Sequence, residues 1–283
     1  MLWLYLSFIF YTINGMLWKW AVQSEHPIEL INRRAFFTLA YVIVAMLITS
    51  TSLDFIFLPG FYFILLASLF GTIGLVLLVY FLKSGTFTRL SYYSFLGIAI
   101  NSAITLLTGR QQLTPLILIS GIILISGYIL FVWDENRNVK KEPVLLSQHL
   151  FLGLMTLSFS ASTIFNWLAL DRFSTLQLMV VQEVFVLAGT GFISFVFMKK
   201  KLPFLTAFKP RYPVMALVIM LAVFTGLFSL SELNPLITAI NSVISPLLTL
   251  VAAVIIFKEK MNRVQLVSLA IIVVGEIIFF FGK

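Results

Sequence analysis

Two carboxylates stand where water is scarce. Glu183 lies near the middle of the apolar stretch 174–197, after Gln177 and Gln182, and Glu276 follows Gly275 inside another, 263–281. An ionised carboxylate at the centre of a bilayer costs ~2.5–3.5 kcal/mol even on the lenient insertion scale, so each needs a partner or a task. For Glu183 the task is to take up a proton or to pair with an ammonium group on a cargo. The structural alternative is a protonated acid hydrogen-bonded to a neighbouring helix. Glu276 has no basic residue within a turn of itself and reads as a packing position or a second proton site, which makes both glutamates proton-coupling candidates.

Polar residues at helical spacing mark four further faces. They are Tyr11, Asn14 and Trp18; Ser94, Asn101 and Thr105; Ser158, Ser162 and Asn166; and Asn241, Ser245 and Thr249 with Ser242 beside them. In lipid such faces turn to protein or to a wet cavity, although Ser, Thr and Asn also serve as glue between helices. Tyr80, Tyr93 and Trp167, with Trp18, lie near these faces and offer rings to an apolar or cationic cargo, or pack. With Glu183, the polar faces and these rings form the candidate substrate-binding set.

The elements that must hold these groups are apolar helices. Of the 283 residues 60% are hydrophobic and 11% charged, whereas a soluble domain is roughly 45–50% apolar. The excess falls in runs of the length that crosses ~30 Å of hydrocarbon at 1.5 Å per residue. Ten helices are expected, at 2–22, 30–50, 61–82, 88–108, 114–133, 149–170, 174–197, 212–231, 236–256 and 263–281. The expected class is an all-α polytopic membrane protein. The net charge of +8 sits at the ends of the runs, as topology signals do, rather than in a stripe suited to nucleic acid. There is no cysteine, and the two histidines, His26 and His149, lie far apart without a metalloprotease or serine-hydrolase motif. The expectation is no enzyme, no cofactor and no metal site.

The chain also repeats itself. Laying Gly127 on Gly275 fixes an offset of 148 (275 − 127), which puts Ser120 on Ser268, Phe131 on Phe279, Asn14 on Ser162, and Ser94 and Asn101 on Ser242 and Thr249. The expected organisation is a five-helix repeat over 1–133, a polar linker over 134–148 and a second five-helix repeat over 149–283. Five crossings per copy force the second copy to run in the opposite sense, and the basic residues do change ends between copies. Alternate links hold Arg33, Arg34, Lys83, Arg89, Arg137, Lys140, Lys141, Lys199, Lys200, Lys201, Lys209, Arg211, Lys258, Lys260 and Arg263; the other side has Arg110, Arg172 and Lys283. By the positive-inside rule both termini then lie outside the cytoplasm. With both copies in one chain, a monomer suffices for a complete cavity.

Phe257-Lys258-Glu259-Lys260-Met261-Asn262-Arg263 followed by Gly275, Ser245-Pro246, and Pro27 with Arg33 and Arg34 carry a likeness. On these residues the chain resembles the drug/metabolite transporter superfamily, in particular its ten-helix EamA-type members, over nearly its whole length. The resemblance implies an integral protein of a bacterial inner membrane. It further implies movement of amino-acid, nucleobase or drug-like solutes, by export or exchange, through a cavity between the repeats. It also implies termini in the cytoplasm, the reverse of the charge count. The first copy departs from the pattern, with Gln111 opposite Glu259 and Ile98 opposite Pro246. A non-transporting partner subunit or a membrane-embedded enzyme are the alternatives from other classes.

Overall fold

The computed structural model describes residues 2–105, 114–138, 145–199, 208–233 and 244–281. Every long element among them is a helix: α1 Leu2–Ala21, α2 Pro27–Ile48, α3 Phe61–Ser84, α4 Phe87–Thr105, α5 Pro115–Asn138, α6 Leu145–Leu170, α7 Thr175–Phe192, α8 Arg211–Glu232, α9 Ile244–Ile255 and α10 Arg263–Phe281. A short 3₁₀ turn covers Asp54–Phe57, and α7 continues into a π-helical turn over Ile193–Phe197. Five helical stretches are long and apolar enough to cross a membrane: Pro27–Ile48, Phe61–Ser84, Gln148–Leu170, Thr175–Phe197 and Arg211–Glu232.

Helix starts follow local chemistry. Pro27 opens α2, where its missing N–H is not needed. Ser174 and Gln177 form a reciprocal capping box at the start of α7. Asn262 and Gln265 exchange the same kind of pair before α10, at 3.0 and 2.8 Å. The offset of 148 recurs in these boundaries: 175 − 27, 263 − 115 and 232 − 84 each equal 148. The expected polar break at 134–148 is narrower in the structure, because α5 runs on to Asn138 and Asp134 is held by the Asn262 amide at 2.6 Å. Residues 139–144 of that linker lie outside the described residues.

The chain forms two compact units, residues 1–84 with 161–233 and residues 85–160 with 234–283. In the first, α1 packs with α8, and α2 with α7 and α8. Its core includes Val42, Met46, Phe55, Ile64, Phe173, Leu176 and Met179. In the second, α5 packs along α10 and α4 along α9, around Tyr92, Phe95, Leu124, Phe131, Leu250 and Ile272.

The α5–α10 crossing is reciprocal. A Cβ at Gly127 would lie 2.8 Å from Ile272 Cγ1 and 3.1 Å from the Ile272 backbone nitrogen. A Cβ at Gly275 would lie 2.9 Å from Leu124 Cγ and 3.1 Å from the Leu124 nitrogen. Since 275 − 127 and 272 − 124 are both 148, each helix sets its glycine on the residue of the other that lies at the matching position under that offset. Asp134 near the end of α5 meets Asn262 at the start of α10, so the two helices run antiparallel. Gly121, also on α5, has nothing within 4 Å of its would-be Cβ.

Candidate functional site

The strongest polar constellation lies in the first unit, around Arg34. With α2 beginning at Pro27, Arg34 sits two turns inside the helix, only 1% exposed. Its Nη1 donates to both oxygens of Glu183 on α7, at 2.7 and 2.9 Å, and to Thr38 Oγ1 at 3.3 Å. A carboxylate placed among apolar helices thereby has the guanidinium that sequence spacing on its own helix did not supply.

Antiparallel packing of α2 on α7 brings the pair together. Near the start of α2, Asn32 donates to the Leu187 carbonyl at 2.8 Å and to Thr190 Oγ1 at 3.0 Å, both late in α7. The 148 offset puts Arg34 on Gln182 and Ala35 on Glu183. The pair therefore occupies one of two related positions at this crossing. Gln182 turns the other way and donates to Asn166 Oδ1 at 2.8 Å.

Trp18 completes the set from α1. It is fully buried, its ring lies 5.7 Å from the Arg34 guanidinium carbon, and its Nε1 has no hydrogen-bond partner among the described residues. One turn back, Asn14 is 5% exposed and its Oδ1 is likewise without a partner among the described residues. On α6, Ser162 donates to the Ala67 carbonyl at 2.8 Å, which seats α6 against Gly71 of α3.

A second charged group stands at the start of α2 and α8. Glu25 accepts from Arg33 Nη1 at 3.0 Å, Lys209 Nζ at 2.7 Å, Arg211 Nη2 and the Tyr212 hydroxyl at 2.8 Å. One carboxylate thus ties the α1–α2 link to the first turn of α8.

The remaining sequence candidates divide between the units. In the first, Tyr11 lays its ring on Gly226, and Tyr80 sits edge-on to His26; both tyrosines are about two-fifths exposed, 41% and 38%. Trp167 is half-buried on α6. In the second, the Tyr93 hydroxyl meets His149 Nδ1 at 2.9 Å, and its ring stands edge-on to Tyr128. Ser94 bonds back to the Leu90 carbonyl, Asn101 has a buried Oδ1 without a partner among the described residues, and the Ser245 carbonyl accepts from Thr249. Glu276 is buried, with no hydrogen-bond partner for Oε1 among the described residues. Asn241 and Ser242 lie outside the described residues.

Sequence reasoning missed Arg34, Thr38 and Gln182 as site members. It also missed the task of Glu259, whose oxygens accept from Phe87 N at 2.8 Å, Thr88 N at 2.9 Å and Thr88 Oγ1 at 2.8 Å, capping α4. The available signal for Arg34 was the 148 offset, which puts it on Gln182, the neighbour of Glu183.

No family model matches the chain. Over 106 residues it is 37% identical to the "Uncharacterized inner membrane transporter YhbE" of Escherichia coli strain K12, and equally to the protein of that name from Shigella flexneri. That stretch is 34% of this chain and 32% of theirs, so the match spans about a third of the curated relatives' length. A solved crystal structure superposes with a TM-score of 0.65 at 15% identity, covering 98% of each chain, a likeness of fold alone. Partial likeness to an inner membrane transporter, together with five apolar helices long enough to span, makes the chain a membrane protein similar in part to a transporter.

Proposed function

We propose that this chain is a carrier of the drug/metabolite transporter type, EamA-like, moving small metabolites across a bacterial inner membrane by alternating access. In this reading its ten helices all span, and its two five-helix repeats, 1–133 and 149–283, lie inverted with respect to one another. One observation carries the reading: α5 and α10, equivalent under the 148 offset, cross antiparallel with each glycine seated on the other helix's matching residue. Inverted halves require equivalent helices to run opposite ways. The partial likeness to an inner membrane transporter adds support from sequence.

The buried polar set of the first unit, Arg34 with Glu183, Trp18 and Asn14, is the part suited to holding a solute, because irregular or charged chemistry inside lipid is kept where it has work. Glu276 stays a proton-carrier candidate in the second unit. The charge count assigns Gln23 and Lys209 to the cytoplasmic side, Leu53 and Asp171 to the other, and both termini outside.

A chain without cysteine suits the test. Single cysteines at Gln23, Leu53, Asp171 and Lys209 are labelled in intact cells with a membrane-impermeant maleimide. Label at Leu53 and Asp171 alone is expected. Label at Gln23 and Lys209 alone would reverse the orientation and leave the inversion standing, whereas Gln23 and Leu53 labelling together would end the span assignment. Purified protein in proteoliposomes is then expected to exchange a radiolabelled solute from a panel of amino acids, nucleobases and cationic drugs faster than empty vesicles. Equal rates for the whole panel refute the carrier reading.

A further inference from the structure

A guanidinium grips a carboxylate best along an edge, with two parallel N–H···O bonds. Among the described residues the three side-chain hydrogen bonds of Arg34 leave from Nη1, and its Nε is buried with no partner. The Nε/Nη2 edge is therefore idle. Trp18, whose ring lies 5.7 Å from the Arg34 guanidinium carbon, has a buried Nε1 donor without a partner among the described residues, and Asn14, one turn back on α1, has a buried Oδ1 acceptor in the same condition. Burying such groups unmet costs about 1–3 kcal/mol each. Two kinds of N–H donor and one acceptor left vacant in so small a set fit a ligand that offers an anionic edge and a donor next to it.

Charge narrows the ligand further. Arg34 and Glu183 sum to zero, and among the helices packed on α7 only α2 brings a charged group to mid-helix. α3 carries its ionisable residues near its ends, at Tyr62, Tyr80 and Lys83, as α8 does at Arg211, Tyr212 and Glu232; α6 has His149 near its start. An arriving carboxylate leaves one negative charge in excess. A proton from solvent, taken on a Glu183 oxygen, restores neutrality and frees Arg34 Nη1 from its partner.

Building on the carrier reading, we propose that the Nε/Nη2 edge of Arg34, with Trp18 Nε1–H, forms the subsite for the carboxylate of a small solute, and that each solute bound brings one proton onto Glu183. Asn14 Oδ1 accepts an N–H or O–H next to that carboxylate. The ring of Trp18, already against the guanidinium, gives the solute's apolar part a flat neighbour.

The test uses the full chain in detergent with acetate, benzoate and indole-3-acetate as probes, each against its neutral amide. Titration calorimetry in two buffers of different ionisation enthalpy reads affinity and protons together. At least one acid is expected to bind ~10-fold or more tightly than its amide, with about one proton taken up per acid. Trp18→Phe, which keeps the ring and removes the donor, is expected to weaken the acid about fivefold and the amide little. Arg34→Lys, which keeps the charge and removes the fork, is expected to abolish the preference for acid; if that variant does not fold, Trp18→Phe decides. Amides binding as tightly as acids, or an acid affinity untouched by Trp18→Phe, overturns the subsite, and binding without proton uptake overturns the role of Glu183. If neither acids nor amides bind while the vesicle assay moves a neutral solute, the carboxylate subsite falls and the carrier reading stands. If acids bind as expected and nothing is transported, the carrier reading falls and the subsite stands.

Discussion

Substituting alanine at Gly127 forces the α5–α10 crossing apart, and the structure sets the scale. Carbon contacts are comfortable at about 3.5–4.0 Å, whereas the added Cβ would stand 2.8 Å from Ile272 Cγ1 and 3.1 Å from the Ile272 nitrogen. The side chain can rotate away, but the backbone nitrogen cannot, so the helices must separate by ~0.5 Å along much of their contact. Overpacking of this kind costs roughly 1–3 kcal/mol. Gly275→Ala meets the Leu124 nitrogen at the same 3.1 Å and is expected to cost the same. In the double variant the helices are already spread, so its cost falls short of the sum by at least ~0.5 kcal/mol. Gly121→Ala is the control: nothing lies within 4 Å, and alanine gains about 0.5–1 kcal/mol of helix propensity. The assay is the apparent unfolding midpoint in one detergent at one scan rate, where ~3 °C corresponds to roughly 1 kcal/mol. A loss at Gly121 matching that at Gly127, or Gly127 and Gly275 shifting in opposite directions, would refute the reciprocal crossing.

Three further outcomes are expected. Arg34→Leu or Glu183→Leu alone strands a buried charge and lowers stability by ~3–5 kcal/mol, while the double variant is more stable than either single; a double variant worse than both would deny the pairing. Glu259→Ala exposes three donors at the α4 start and costs about 2 kcal/mol, read as a fall in midpoint that Glu259→Asp partly recovers. Lys258 holds φ at +54°, so Lys258→Gly is expected to gain about 1 kcal/mol, and a loss would show that the lysine side chain contributes more than its backbone strain costs.

Much of the helical layout was legible because lipid-length apolar runs and punctuating prolines leave few alternatives. The repeat offset read from Gly127 and Gly275 reappears in helix boundaries three times over. Partners across helices were less legible, since side-chain pairing depends on a crossing that periodicity does not encode. From sequence, with helix 2 expected from residue 30, Arg34 reads as a topology signal; the start at Pro27 carries it two turns into the helix. Tyr11 and Tyr80 sit on polar-looking stretches and yet keep about two-fifths of their surface open, because a face is defined by its neighbours and not by spacing alone. Asp134 read as the beginning of a linker, since no sequence rule announces that Asn262 would receive it.

The lopsided ion pair at the α2–α7 crossing bears on how such a gene must be built. If the halves are inverted copies, as proposed, two copies of the first half packed through this crossing would bring two Arg34 guanidiniums opposite two Ala35 methyl groups, and two copies of the second half would gather two Glu183 carboxylates beside two Gln182 amides. Either homodimer buries like charges without counterions. On the proposed inverted-repeat reading, one cation meets one anion there only when the two copies have diverged, so this contact would mark specialisation between them.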